Sequence, residues 1–466
     1  MFLCVQPPTP RNGIPNSRNR SPIGVFIFVL AIVLVFGAAI ARRATQYFRA
    51  EARVKAIRIA NLPTSGAELA KWVPAVPDEK NGAFVITQGF ALMRDFADAR
   101  SNVVSMTNLI WTNHWSPETT AVVRGYLETN RSALDRIREG LKFEAFRYPL
   151  KYEDGFAALL PHLGKCKHAV SLMAIETALA AADGNTNEWP QILSDQLRLI
   201  QTLNTEPILI SQLVRNASLI ITRNAVEWAL GHGAPSAEDC KLLQQSFWRI
   251  GETNLFPRTL IAERAVTLPM FRATIEDLDR MGDQDQEALS EAHLNSNGLT
   301  LYRVMGMADR DKIFYLDFME HAIAQAGSGA PQMLDLVDDF ETAVKTAKEN
   351  RYIIPGMFMP AIAKSPVKFV GAQAAMRMTA TAFAIERFRH AHGRLPQNLQ
   401  QLVPEFMESV PIDPFDGQQM RYKTGPKGYV VYSVGEDRID DGGAARPLRK
   451  KPRDENTYDV VFRVER

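Results

Sequence analysis

The chain has 466 residues, too long for one ordinary core at about 100–200 residues per domain, so two or three units are expected. Apolar residues at 46% and charged residues at 23% exclude an extended disordered chain. Lys plus Arg at 54 against Asp plus Glu at 52 leaves no basic excess of the kind that marks a nucleic-acid binder. Three cysteines, Cys4, Cys166 and Cys240, exclude a disulfide scaffold and lack zinc-motif spacing. Cys166 and Cys240 either pair in an oxidising compartment or stay as small buried thiols.

The first element is an apolar run, Ile23–Ala41, with Arg18 and Arg20 before it and Arg42 and Arg43 after it. As a helix its nineteen residues reach roughly 28 Å, enough for a bilayer core of about 30 Å. Ala39-Ile40-Ala41 has the small-x-small form of a signal-peptide cleavage site, but the two arginines that follow favour an uncleaved anchor. Residues 1–22 are then a short N-terminus on the cytoplasmic side. The basic residues beyond the run, Arg42 to Arg58, outnumber those before it, and read literally this keeps the bulk of the chain inside.

Residues 42–82 read as a juxtamembrane helix, Ala44 to Ala60, followed by a linker holding Pro63, Pro74 and Pro77. From 83 to 364 the pattern is a succession of helices separated by clear punctuation. Ser116-Pro117-Glu118 is a helix start, Ala182-Asp183-Gly184 a stop, Thr205-Glu206-Pro207 another start, and Ser236 with Asp239 resembles a capping box. Apolar residues at helical spacing lie between them, as in Leu209, Leu213, Ala217 and Ile220. Short connections favour antiparallel hairpins in a bundle or solenoid. Met281 to Gly298 reads as an exposed loop.

Residues 365–466 change character. A helix from about Ala374 to His392 carries Met376, Ala380, Phe383, Ala384, Phe388 and Ala391 on one stripe, with Glu386, Arg387 and Arg389 elsewhere; Gly393 suits its end. A short helix near Leu399 to Val403 and a turn at Asp413-Pro414-Phe415-Asp416-Gly417 follow. Strands are expected at Met420–Lys423, Tyr429–Ser433 and Thr457–Val464, packed on the helix through Phe383, Phe388, Tyr432 and Phe462. The fold class is therefore mainly α: a transmembrane helix, a helical body and a small α+β C-terminal domain.

That C-terminal segment resembles the major pseudopilin of type II secretion. The likeness is carried by Ala384-Ile385-Glu386-Arg387-Phe388-Arg389, by His392-Gly393-Arg394-Leu395-Pro396, by Pro411-Ile412-Asp413-Pro414-Phe415-Asp416-Gly417 and by Tyr432-Ser433-Val434-Gly435-Glu436-Asp437, with Asp459-Val460 near the end. Pseudopilins carry a Gly-Phe-Thr-Leu-x-Glu segment at the membrane, where this chain has Pro22-Ile23-Gly24-Val25-Phe26, so assembly into a pseudopilus is not implied. The resemblance implies an extracytoplasmic position, against the charge count, at the inner membrane. It also implies envelope or secretion-system partners. In the related pseudopilin the corresponding loop holds calcium, which points to Ca²⁺ held by Ser433, Asp437, Asp440, Asp441 and Asp459, oxygen donors of the type that ion prefers. The basic tail Arg446–Arg453 is the competing charge partner.

His162, Cys166 and His168 come nearest to a zinc cluster but lack a fourth ligand, and the structural reading is favoured. His390 and His392 point different ways on their helix. Glu263-Arg264 and Glu206 with Arg215 read as structural charge pairs inside helices. No His-Glu-x-x-His, Gly-x-Ser-x-Gly or phosphate-binding glycine loop is present. Two functional classes follow: an anchored structural or interaction protein that also contacts the lipid bilayer, or an envelope hydrolase whose site lies in the helical middle.

Overall fold

The computed structural model describes residues 22–95, 115–274, 296–444 and 458–466. Residues 1–21, most of the loop expected from Met281 and the tail Arg446–Arg453 lie outside them. In chain order the described helices are α1 (Pro22–Ile59), α2 (Gly66–Trp72), α3 (Gly82–Leu92), α4 (Pro117–Leu141), α5 (Pro161–Ala182), α6 (Trp189–Gln201) and α7 (Leu209–His232). They continue as α8 (Ala237–Glu252), α9 (Phe256–Thr267), α10 (Ser296–Val304), α11 (Met307–Gly327), α12 (Asp335–Glu349), α13 (Ile353–Ala363) and α14 (Ser365–His392). The described strands are β1 (Arg421–Gly425), β2 (Gly428–Ser433) and β3 (Val460–Glu465), forming one antiparallel sheet in that order. The protein is mainly helical with one small sheet.

Local sequence chemistry sets several helix ends. Ser116 accepts from the Thr119 amide ahead of Pro117, and Ser236 accepts from the Asp239 amide, so each satisfies a donor that the first helical turn leaves open. Gly184 and Gly393 take positive φ just beyond α5 and α14. The stretch after α1 is not irregular throughout, because Ser65-Gly66-Ala67-Glu68 is itself a capping box. Ser65 accepts from the Glu68 amide, and α2 buries Leu69 and Val73 against Tyr152, Ala262 and Val266. Helices α3 and α4 approach closely enough that a Cβ at Gly82 would lie 2.5 Å from the Gly140 carbonyl oxygen, a separation only glycine accommodates.

The centre of the fold is α14. It begins nine residues earlier than the apolar stripe suggests, with Pro366 in its first turn, where a missing N–H costs nothing. Its burial is not a stripe. Ala372, Ala375, Met378, Ala380, Ala382 and Ile385 are all buried, and so is Glu386, which the sequence pattern assigns to the outer face. It packs against α7, α8, β2 and β3. Phe383 lies 5.8 Å from Phe247 of α8 and 6.5 Å from Trp189 of α6, ring centre to ring centre. One continuous apolar cluster thus takes in α3 through α8, the second half of α14 and the sheet. A second cluster joins α9 through α13 to the first half of α14.

In the sheet, Val431 pairs with Tyr422 and Phe462. Tyr429, Val431, Phe462 and Val464 face α14 and are buried in its cluster. Tyr432 does not join them. A strand alternates faces at every residue, so Tyr432 lies on the opposite side, where Lys423 sits 5.6 Å above its ring. The inward tyrosine is Tyr429, whose hydroxyl donates to the Ala382 carbonyl at 3.4 Å.

The second half of α1 is docked on α11. Ala50 is fully buried, Arg53 pairs with Asp317 at 2.8 Å, and Glu51 takes Arg272 at 2.7 Å and the buried Lys312 at 3.3 Å. The apolar run expected to cross a membrane forms the first half of α1, where the side chains of Pro22, Ile23, Gly24, Val25, Ile32, Val35, Phe36 and Ala39 fall outside the described residues. Among the described residues no helix is long and apolar enough to cross a membrane.

If Phe383 and Phe462 anchor the core as described, Phe383→Ala and Phe462→Ala should each lower the unfolding free energy of the full chain by ~3–5 kcal/mol. Tyr432→Ala should cost less than either. Denaturant midpoints unchanged in both Phe variants would contradict this core.

Candidate functional site

The C-terminal acids are organised around Asp413 and Arg421. Asp413 is fully buried and accepts from the Ser433 hydroxyl at 2.8 Å, the Val434 amide at 2.9 Å, the Phe415 amide at 3.0 Å and the Arg421 guanidinium at 2.9 Å. Arg421 also grips Asp416, and its Nε lies 3.5 Å from an Asp440 oxygen. Burial pushes the Asp416 carboxyl up, but the bonds and charge of Arg421 outweigh it and hold the group below its ordinary value. Ser433, expected as a calcium ligand, donates its hydroxyl proton to Asp413, and its oxygen accepts from the Gly435 amide at 3.3 Å.

The other expected ligands are placed as follows. Asp437 and Asp440 each accept one backbone amide of their own loop, from Ile439 at 3.0 Å and Gly442 at 2.9 Å. Asp459 is buried and accepts from the Gly443 amide at 2.6 Å and the Asp441 amide at 3.4 Å. Burial raises its carboxyl above the usual value, the two amides oppose that, and the charges of Asp440 and Asp441 add to it. Asp441 is exposed. The second Asp437 oxygen is buried without a hydrogen-bond partner. Among the described residues, no group of three or more His, Cys, Asp and Glu is arranged to hold a metal ion. Asp413 and Arg421 are legible only as a turn residue and a strand residue, because the bonds that join Asp413 to Arg421 and to Ser433 span eight and twenty residues.

The polar groups of the helical middle form a second constellation with partners other than those expected. His162 Nε2 lies 2.9 and 3.0 Å from the two Glu206 oxygens, and the Ser211 hydroxyl donates to Glu206 at 2.8 Å. Tyr148 stacks on His162 at 4.5 Å. The carboxylate stands between serine and histidine, whereas a nucleophilic relay requires the histidine in the middle. His162, Glu206 and Ser211 are all buried. They tie α5 to the start of α7. Arg215 does not pair with Glu206; it donates to Asn204 at 2.6 Å and Asn216 at 3.3 Å, and burial lowers its pKa to about 10. His168 meets the Tyr126 hydroxyl at 2.8 Å. Cys166 and Cys240 are free, buried thiols.

An open groove of about 890 Å³ is bounded by α4, α6 and α8 and lined in part by Arg138, Lys142, Asp195, Arg198 and Arg249. Its acids are held in ion pairs: Asp195 and Asp135 pair with Arg138 and Glu139 pairs with Arg136, while Arg138 also reaches Glu176 on α5. Burial raises the Glu176 carboxyl and Arg138 opposes it. Arg138, Arg198 and Arg249 each sit in the last turn of their helix, where a cation is favoured by the carbonyl ends. The groove is charged and open, unlike the enclosed, mostly apolar pockets that take small substrates.

Glu263 is the group whose titration can be read out. Burial pushes its carboxyl up to about 7 from 4.5, against the Leu209 amide that donates to it. With the folded value above the unfolded one, the unfolded chain ionises first, so stability should fall as pH rises from about 4.5 to about 7 and level off above. The loss amounts to ~3 kcal/mol at ~1.4 kcal/mol per unit. Glu263→Gln keeps an acceptor for Leu209 and should flatten that slope in urea titrations; an unchanged slope would assign the proton elsewhere. Comparison of the chain with protein-family models, with curated proteins and with solved structures finds no match in any of the three.

Proposed function

We propose that this protein is a single-pass, membrane-anchored structural or interaction protein of the bacterial envelope, with residues 23–41 in the inner membrane and the body outside the cytoplasm. The observation that carries the reading is α1. Its first half exposes Phe26, Ile27, Phe28, Val29, Leu30, Val33, Leu34 and Ile40 to solvent, a set too apolar to be left in water, while its second half is fixed to the body by burial and ion pairs. The extracytoplasmic side rests on the pseudopilin resemblance, which is supported by the order of elements: a long helix closed by Gly393, the Asp413 turn, then three antiparallel strands. The interaction reading is favoured over the hydrolase reading because the groove acids are ion-paired and the His162 cluster is closed.

Membranes washed with alkaline carbonate should retain the full chain, detergent should release it, and a reporter joined after Arg466 should be active only outside the cytoplasm. Release by carbonate would end the anchor reading, and a reporter active only in the cytoplasm would reverse the orientation. Affinity capture from detergent extracts should recover envelope proteins.

A calcium ion at the Ser433–Asp441 turn is a second reading, favoured by the buried and unpartnered Asp437 oxygen. Calorimetry of the full chain with millimolar calcium should then give heat and a raised melting temperature, with ~2.7 kcal/mol of stabilisation at a hundredfold excess over Kd. No heat and no shift would leave Arg421 to balance the turn.

A further inference from the structure

We propose that the turn joining α10 to α11 is a second membrane contact, with Leu301, Val304, Met305 and Met307 lying in the interface of the bilayer that α1 crosses. This rests on the reading of residues 23–41 as a span. Those four side chains are 60%, 52%, 62% and 42% exposed. Scattered apolar residues on a surface need no explanation, but four within seven positions form a contiguous patch. Helix α10 buries Leu299 and Tyr302 on its inner side. Leu301, Val304 and Met305, at i, i+3 and i+4, give it a second apolar face turned away from the body.

The position of the turn selects the occupant. Gly306 sits against α1: a Cβ there would lie 3.1 Å from the Arg43 side chain and 3.5 Å from the Gln46 amide oxygen. Arg43 is two residues beyond Ala41, so the turn stands about 3 Å past the end of the apolar run along the helix axis. At the same level α1 exposes Arg42 and Arg43, followed within two turns by Tyr47, Phe48 and Arg49. Basic and aromatic residues at this height match the headgroup layer of a bilayer. From Leu301 to Met307 there is no acidic residue to oppose anionic lipid, and Arg303 turns inward to the Ala273 carbonyl. An apolar face beside the exposed arginines of α1, level with a span, fits the boundary between headgroups and acyl chains. It is a poorer fit for a water-soluble partner.

The test uses the full chain in vesicles of phosphatidylcholine and phosphatidylglycerol. With Cys4 replaced by serine and the native Cys166 and Cys240 buried, single cysteines are placed by Leu301→Cys, Met305→Cys and, as a control on α8, Leu242→Cys, and are labelled with a polarity-sensitive dye. Labels at 301 and 305 should shift to the blue and lose intensity when the lipids carry brominated acyl chains, and the label at 242 should do neither. Water-exposed spectra at 301 and 305 in a protein that still floats with the vesicles would overturn the second contact and leave the span standing. A protein that does not float at all would overturn the span reading itself. Blue-shifted labels insensitive to brominated lipid, with cross-links between chains through 301, would assign the patch to a second copy and reject lipid as its occupant.

Discussion

A carboxylate inside the apolar core is the constraint around which the rest of this structure is arranged. Glu386 has no exposed surface, and a buried charge is tolerated only when it is paired. Arg466 supplies the pair at 3.0 Å, with Arg389 at 3.6 Å one turn along α14. Arg466 also donates its backbone amide to the Lys427 carbonyl at 2.7 Å and its side chain to the Leu230 carbonyl at 2.5 Å. One residue therefore ties α14, the β1–β2 turn and the end of α7 together. The alanines of α14 complete the arrangement, because small side chains let α7, α8 and the sheet all approach one helix. Residues 365–466 consequently share their core with the helical body instead of folding around their own.

Within that frame the body is two apolar clusters threaded by α14. The cluster built on α9 to α13 also receives α1 through α11. The cluster that includes the sheet contains the charged groove and the His162–Glu206 tie. Some buried polar groups bridge distant parts of the chain: Glu263 caps the amide of Leu209 fifty-four residues away, and Asp311 takes the Ile353 amide at 2.7 Å as well as the Tyr302 hydroxyl at 2.8 Å. Such bonds add little net stability when made and cost much when broken, so they set which helix lies beside which.

What the sequence made legible was local. Helix starts at Ser116 and Ser236 and stops at Gly184 and Gly393 are each decided by a few neighbouring residues and are found there. Strands β1 and β2 fall within two residues of the expected strands, while β3 begins at Val460 against an expected start at Thr457, a residue outside the described ones. What it hid depends on distant chain. Glu386 reads as a surface residue until Arg466 arrives to pair with it. Tyr432 and Tyr429 are both large and half-apolar, and only the register against β3 says which turns inward. Nothing beside Ser433 in the sequence shows that its hydroxyl donates to Asp413, twenty residues earlier. The Ser65–Glu68 box was legible and was masked by the prolines around it. The expected span and the basic tail depend on residues whose surroundings fall largely outside the described ones.

The joint between α1 and α11 has a mechanical meaning. A domain hung from a membrane by a flexible linker sweeps a hemisphere and meets partners in many orientations. Here the helix that leaves the apolar run is splinted to the body by Ala50, Glu51 and Arg53 within about three turns. On the anchored reading, the body keeps a fixed tilt and height and is left with lateral diffusion and rotation about one axis. Another membrane protein that docks on it has less orientational freedom to remove, so a modest contact area goes further toward a stable complex. A soluble partner gains no such advantage.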